Sequence, residues 1–115
     1  MALYFENLIV WQKAFLLAKN IYLCLKKFPR EEQYVLIDQM KRSAISIVSN
    51  IAEWSGRGTG AEHKHFLHIA KGSCTELATQ ILLSKEFGYI SEEEQKQLTG
   101  LLEEIVKMLY VMIQK

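Results

Sequence analysis

Residues 37–60 read Ile37-Asp38-Gln39-Met40-Lys41-Arg42-Ser43-Ala44-Ile45-Ser46-Ile47-Val48-Ser49-Asn50-Ile51-Ala52-Glu53-Trp54-Ser55-Gly56-Arg57-Gly58-Thr59-Gly60. Ile37, Met40, Ala44, Ile47, Val48 and Ile51 recur at helical spacing, which predicts a helix over about 31–54. Glu31 and Glu32 fall near its positive N-terminal end. The run from Ser55 to Gly60 then breaks the pattern, with three glycines within five residues. A loop between two helices needs only a glycine and a cap. Asn50, Glu53, Gly56 and Arg57 together ask for more, namely a polar network or an interface.

Reading outward from this break, Thr59 and Glu62 form a capping box for a third helix. Its stripe is Phe66, Ile69, Ala70, Ser73, Leu77, Ile81 and Ser84, ending near Phe87 before Gly88. Ser91 and Glu94 repeat the capping box for a last helix, striped by Leu98, Leu101, Leu102, Ile105, Met108, Leu109 and Met112. Upstream, Leu8, Trp11, Phe15, Ala18, Tyr22 and Leu25 predict a first helix over about 7–27. Phe28-Pro29 ends it, because proline disfavours helical geometry in the residue before it. Four helices with short connections run up-down-up-down. The expected fold is therefore all-α, one antiparallel four-helix-bundle domain over 1–115.

The chain has 115 residues, half of them hydrophobic, with a single proline and a net charge of +1. That fits one core and excludes a global field drawing the protein to nucleic acid or membrane. Charge is unevenly placed. Lys13, Lys19, Lys26, Lys27 and Arg30 oppose only Glu6 at the start, while Glu92, Glu93, Glu94, Glu103 and Glu104 dominate the last helix. The plain reading is two complementary neighbours on the bundle surface. Cys24 and Cys74 lack CxxC spacing and read as reduced, packed thiols of a cytoplasmic protein. No signal peptide or membrane span is expected.

Some apolar surface is left over. Ile9, Leu16 and Leu23 form a second row on the first helix, and Leu67, Cys74 and Leu82 are expected to do so on the third. Arg42, Ser46, Ser49 and Glu53 lie opposite the core stripe of the second helix, and His65, Gly72 and Thr79 repeat small residues on the third. Wide stripes can simply make a broad core. They can also be seams of a homo-oligomer, since large apolar patches are unusual on monomers.

Catalytic chemistry is hard to place. A di-metal bundle needs two Glu-x-x-His copies, and Glu62-x-x-His65 is the one match, with His63 and His68 on the same helix. No metal or other cofactor is expected. The glycine run lacks the lysine and the preceding strand of a phosphate loop. Ser43, Ser46 and Ser49 have no histidine nearby in sequence. The expectation is no enzyme.

Lys41, Arg42, Arg57, Lys64 and Lys71 remain as candidate nucleic-acid-binding residues. In a monomer they are scattered surface charges. In a ring they repeat about an axis, and phosphate neutralisation by them would be strongly salt-dependent. Nothing among them would read bases.

These residues also carry a resemblance. Phe5-Glu6-Asn7-Leu8-Ile9-Val10-Trp11-Gln12, Phe28-Pro29-Arg30-Glu31-Glu32-Gln33-Tyr34 and Gln39-Met40-Lys41-Arg42-Ser43-Ala44 resemble the four-helix-bundle proteins encoded in intervening sequences of bacterial 23S ribosomal RNA genes. So do Asn50-Ile51-Ala52-Glu53 with Gly56-Arg57, Phe66-Leu67-His68-Ile69-Ala70-Lys71-Gly72-Ser73 and Gly88-Tyr89-Ile90. Nearly the whole chain is covered. The resemblance extends to the accessory variability determinant proteins of diversity-generating retroelements. It implies a ring-shaped homopentamer and, for the retroelement relatives, binding of RNA or DNA and partnership with a reverse transcriptase.

Two positions depart from the family. Trp54 stands where glycine usually follows Asn-Ile-Ala-Glu, which predicts a helix running on until Gly56 stops it. Trp54 then packs on the bundle end, joins an interface or stacks on a base. Lys41 replaces one of a usual arginine pair, keeping charge but losing bidentate geometry. Asn50, Glu53, Arg57 and Glu76 read as a structural polar network or subunit interface rather than a substrate site. The function expected is a non-enzymatic, ring-forming nucleic-acid accessory protein. The alternative is an oligomeric protein-interaction scaffold.

Overall fold

The computed structural model describes residues 3–57 and 60–115, and among them every regular element is helical. The four long helices are α1 (Ile9–Leu25), α2 (Asp38–Gly56), α3 (Ala61–Glu86) and α4 (Glu92–Gln114). Each touches the next in sequence, and α1 also touches α4, so the four close around one shared core. Leu17, Ile21, Met40, Ile47, Leu77 and Ile105 are among its fully buried side chains.

A single 3-10 turn, Tyr4–Asn7, leads into α1. The Glu6 carboxylate accepts from the Leu3 amide at 2.8 Å, and the Glu6 carbonyl accepts from Gln12 Nε2 at 2.8 Å. Trp11 is held between Phe5 and Phe15, with ring centroids 5.0 and 4.9 Å away. The helix ends ahead of Pro29, as the residue preceding proline requires.

The core face of α1 differs from the expected stripe. Val10, Ala14, Leu17, Ile21 and Cys24 are buried, whereas Phe15 and Tyr22 are 47% and 39% exposed. The helix is apolar around most of its circumference, so periodicity offers no unique face, and the true stripe lies about one residue earlier. On α3, Leu67 and Cys74, expected as surplus surface, are core residues, while Leu82 is exposed. The surplus row Ile9, Leu16 and Leu23 does face outward.

The segment expected as one helix from 31 changes pitch twice. Arg30–Glu32 is a 3-10 turn, Gln33–Ile37 is a π-helical turn, and only Asp38 onward is regular α-helix. A π turn widens the helix by one residue. Here it brings adjacent Leu36 and Ile37 to the core while Tyr34 and Val35 stay exposed. At its far end α2 continues through Trp54 to Gly56, as the missing glycine at 54 predicts.

Three termini follow from particular residues. Gly60 precedes α3 with φ +95°, a conformation that penalises side chains. It occupies the cap position, and Thr59 of the expected capping box lies outside the described residues. After α3, Gly88 takes φ +81°. The Tyr89 amide returns to the Ser84 carbonyl at 2.9 Å and the Gly88 amide to Lys85 at 3.0 Å, the paired bonds of a Schellman close. At α4 the capping box is present as read, with Glu94 N donating to Ser91 Oγ at 3.1 Å and Ser91 N to Glu94 Oε1 at 2.9 Å. The basic and acidic helices are neighbours, joined by Lys13–Glu104 at 3.4 Å and by Lys27–Glu94.

Candidate nucleic-acid interface

Lys41 and Arg42 are adjacent on α2 but point apart. The Lys41 ammonium lies over the Tyr22 ring of α1 at 5.2 Å from its centroid. Arg42 turns outward and donates from Nε to Asp38 Oδ2 at 3.0 Å. Arg57, just past the end of α2, donates from Nε to Glu53 Oε2 at 3.0 Å. Its guanidinium also lies 5.5 Å from the Phe66 centroid on α3. Lys64 is exposed in the second turn of α3. Lys71 reaches the other way, over Tyr110 of α4 at 5.5 Å.

The five cations therefore do not form one patch on a single chain. Lys41 sits on the α1 side of α2 and Lys71 on the α4 side of α3. Arg42 lies in the second turn of α2 and Arg57 caps its far end, fifteen residues on and roughly 22 Å away at helical rise. Among the described residues, Lys41, Lys64 and Lys71 make no ion pair, so their charge is available to an external anion, whereas Arg42 and Arg57 are each paired at i,i+4. Three of the five rest against an aromatic ring, which orients the charge without neutralising it.

The expected polar network resolves into two parts. Glu53 and Arg57 form one ion pair at the loop. Asn50 belongs to a different set: its Nδ2 donates to the Ser46 carbonyl at 2.8 Å and to Ser46 Oγ at 3.2 Å. Ser73 Oγ then donates to Ser46 Oγ at 2.7 Å, tying α3 to α2. Glu76 is exposed on α3 and is bonded to neither set among the described residues. Ser73 was visible only as a small residue in an apolar stripe, because a part-buried hydroxyl pair leaves no spacing signature.

Trp54 is half-buried at the corner where α2 ends, with its ring stacked on His63 of α3. It also lines an apolar groove with Leu8, Ile9, Met108 and Met112. This is packing on the end of the helical core. His65 is tilted against Phe66 with centroids 6.4 Å apart. Among the described residues no three His, Cys, Asp or Glu side chains gather to hold a metal ion. Cys24 and Cys74 are free and buried, and burial pushes the Cys74 thiol up to about 12 and the Cys24 thiol upward. No described helix is long and apolar enough to cross a membrane.

A sequence signal was missed at the other end of the molecule. Lys41 is joined there by Lys19, Lys26 and Arg30, which line one groove between α1 and the turns preceding α2. The excess of positive charge in the first thirty residues was the available hint, and the π turn that places Gln33 and Ile37 beside it was not legible.

A family model described as 23S rRNA-intervening sequence protein matches residues 6–111. Among solved structures, the chain resembles a protein of unknown function from the S23 ribosomal protein family of Bacteroides thetaiotaomicron. The two are 27% identical with a TM-score of 0.85, over 93% of this chain and 100% of that one. No curated protein matches the chain.

Proposed function

The chain belongs to the 23S rRNA-intervening sequence protein family, and from that premise we propose that it is a non-enzymatic, ring-forming accessory protein that binds RNA or DNA through the backbone. In this reading the protein is a bacterial cytoplasmic homopentamer. Its chain is a single domain, an antiparallel up-down-up-down four-helix bundle, which the short connections and the closed sequence of helix contacts support. By its resemblance to the accessory variability determinant proteins, it works beside a reverse transcriptase.

The observation that carries the reading is the set of unpaired lysines. Lys41 and Lys71 are held over aromatic rings with no carboxylate partner among the described residues, and Lys64 is equally unpaired. A single copy offers few such charges. Repetition around a ring multiplies them, and neutralised phosphates then release many counterions. The exposed row Ile9, Leu16 and Leu23 supplies an apolar seam for the assembly.

Fluorescence anisotropy of labelled structured RNA and single-stranded DNA, at low and near-physiological salt, tests this. Binding that weakens steeply with salt supports the reading, and no binding at low salt removes it. The second reading, a protein-interaction scaffold, is favoured by the same exposed apolar row on a chain of net charge +1. A partner retained after nuclease treatment would select it.

A further inference from the structure

Lys19 on α1, Lys26 at its C-cap, Arg30 just beyond it and Lys41 on α2 surround one groove of about 600 Å³. Lys26 keeps helical backbone angles as the cap, so it follows Lys19 by two turns on one face, roughly 10 Å along the axis. No side chain lining the groove is acidic, and none of the four cations makes an ion pair among the described residues. Four like charges over an apolar wall focus a positive potential into the groove. Its floor is apolar, built from the buried Leu25, Phe28 and Ile37. Its wall carries Tyr22, a residue 39% exposed, with the Lys41 ammonium over one face of its ring.

We propose that this groove takes a single-stranded segment of nucleic acid, with phosphates on Lys19, Lys26, Arg30 and Lys41 and a base against Tyr22 and the apolar floor. The proposal rests on the nucleic-acid reading above and adds a place and a strand preference to it. A duplex presents charged backbone and keeps its base faces stacked inside, so it would leave the floor wet. An unpaired nucleotide offers a flat apolar base and a phosphate a short distance apart. Tyr22 and Lys41 present the matching pair, an aromatic ring with an ammonium 5.2 Å from its centroid. An acidic peptide satisfies the charges but meets the ring only where its sequence happens to place an aromatic side chain, whereas every nucleotide carries a flat base beside its phosphate.

The test compares a labelled oligo(dT) of about 12 nucleotides with a labelled RNA hairpin, by anisotropy at low salt. Lys19→Glu/Lys26→Glu weakens oligo(dT) binding about tenfold or more and leaves hairpin binding within about twofold. Tyr22→Leu weakens oligo(dT) about fivefold with an unchanged salt slope, because a stacking face is lost and no charge. Lys64→Glu/Lys71→Glu acts on the hairpin instead. Circular dichroism checks that each variant stays folded, and Lys19→Gln/Lys26→Gln is the milder substitute. If only Lys64→Glu/Lys71→Glu abolishes binding of both probes, the groove assignment is overturned and the nucleic-acid function stands. If the unaltered protein binds neither probe at low salt, both fall. Competition by poly-glutamate as effective as unlabelled oligo(dT) overturns the proposal in favour of an acidic protein segment.

Discussion

Trp54 lies over His63 with ring centroids 5.1 Å apart and planes 23° from parallel. The contact joins the last turns of α2 to the first turn of α3 across the break at Gly56–Gly60. It explains how a bulky residue sits where a glycine would end the helix: α2 runs on, and the indole covers the end of the core.

Trp54→Ala should therefore destabilise the fold by about 2 kcal/mol, below the value for a fully buried aromatic because the ring is half-buried. Trp54→Phe should recover most of the loss. Urea unfolding followed by circular dichroism measures both. A Trp54→Ala midpoint equal to that of the unaltered protein would mean the stacking contributes nothing.

The hydroxyl pair between α2 and α3 gives a second prediction. Ser73 is 6% exposed and has Ser46 Oγ as its partner at 2.7 Å. Ser46→Ala strands that buried hydroxyl and should cost about 1–2 kcal/mol. Removing both hydroxyls relieves the stranded partner, so Ser46→Ala/Ser73→Ala should cost less than the two single changes added together. A double-mutant cycle by urea unfolding decides. Strict additivity would show that the pair is not coupled.

Glu94 predicts how stability depends on pH. Its carboxylate accepts from Lys27 and from the Ser91 amide, and these bonds, Lys27 first, hold its pKa below the ordinary 4.5. Because the folded value is the lower one, the contribution is fully present above 4.5 and is lost as pH falls through the folded value. Glu94→Gln keeps an acceptor for Ser91 but cannot titrate. Its stability should fall less steeply below pH 4.5 than that of the unaltered protein, by urea midpoints across the acid range. Parallel curves would assign the acid sensitivity to other carboxylates.

How far the sequence could be read depended on contrast. Along α2 and α4 the core stripe is set off by polar neighbours, with Ile45, Tyr110 and Val111 as exposed exceptions, and Met40, Ala44, Ile47, Ile51, Leu98, Leu102 and Leu109 are buried as their spacing predicts. On α1 nearly every face carries an apolar residue, so Phe15 and Tyr22 looked as core-like as Leu17 and Ile21. The capping box at Ser91 and the close at Gly88 were legible because each needs particular residues at fixed offsets. The π turn at Gln33–Ile37 was not, since widening a helix demands no residue type. The candidate cations were legible as charges. Their division between Tyr22 and Tyr110 depends on which helices become neighbours, which no local pattern states.

Arg57 separates assembly from binding. Within one chain it makes an exposed ion pair with Glu53 and a contact with Phe66. Exposed i,i+4 pairs contribute about 0.3–0.5 kcal/mol, and a cation over a ring at an exposed site about 0.5–1. Arg57→Ala should thus leave the protomer folded, with only a small fall in melting temperature. If Arg57 belongs to a subunit contact of the proposed ring, native mass spectrometry should still show smaller assemblies. Arg42→Ala should behave alike, since its one ion-pair partner among the described residues, Asp38, is also an exposed i,i+4 neighbour. Weaker RNA binding would follow as a consequence of losing the ring, and in proportion to it. An unchanged native mass with RNA binding abolished would reverse the assignment, making Arg57 a contact to nucleic acid.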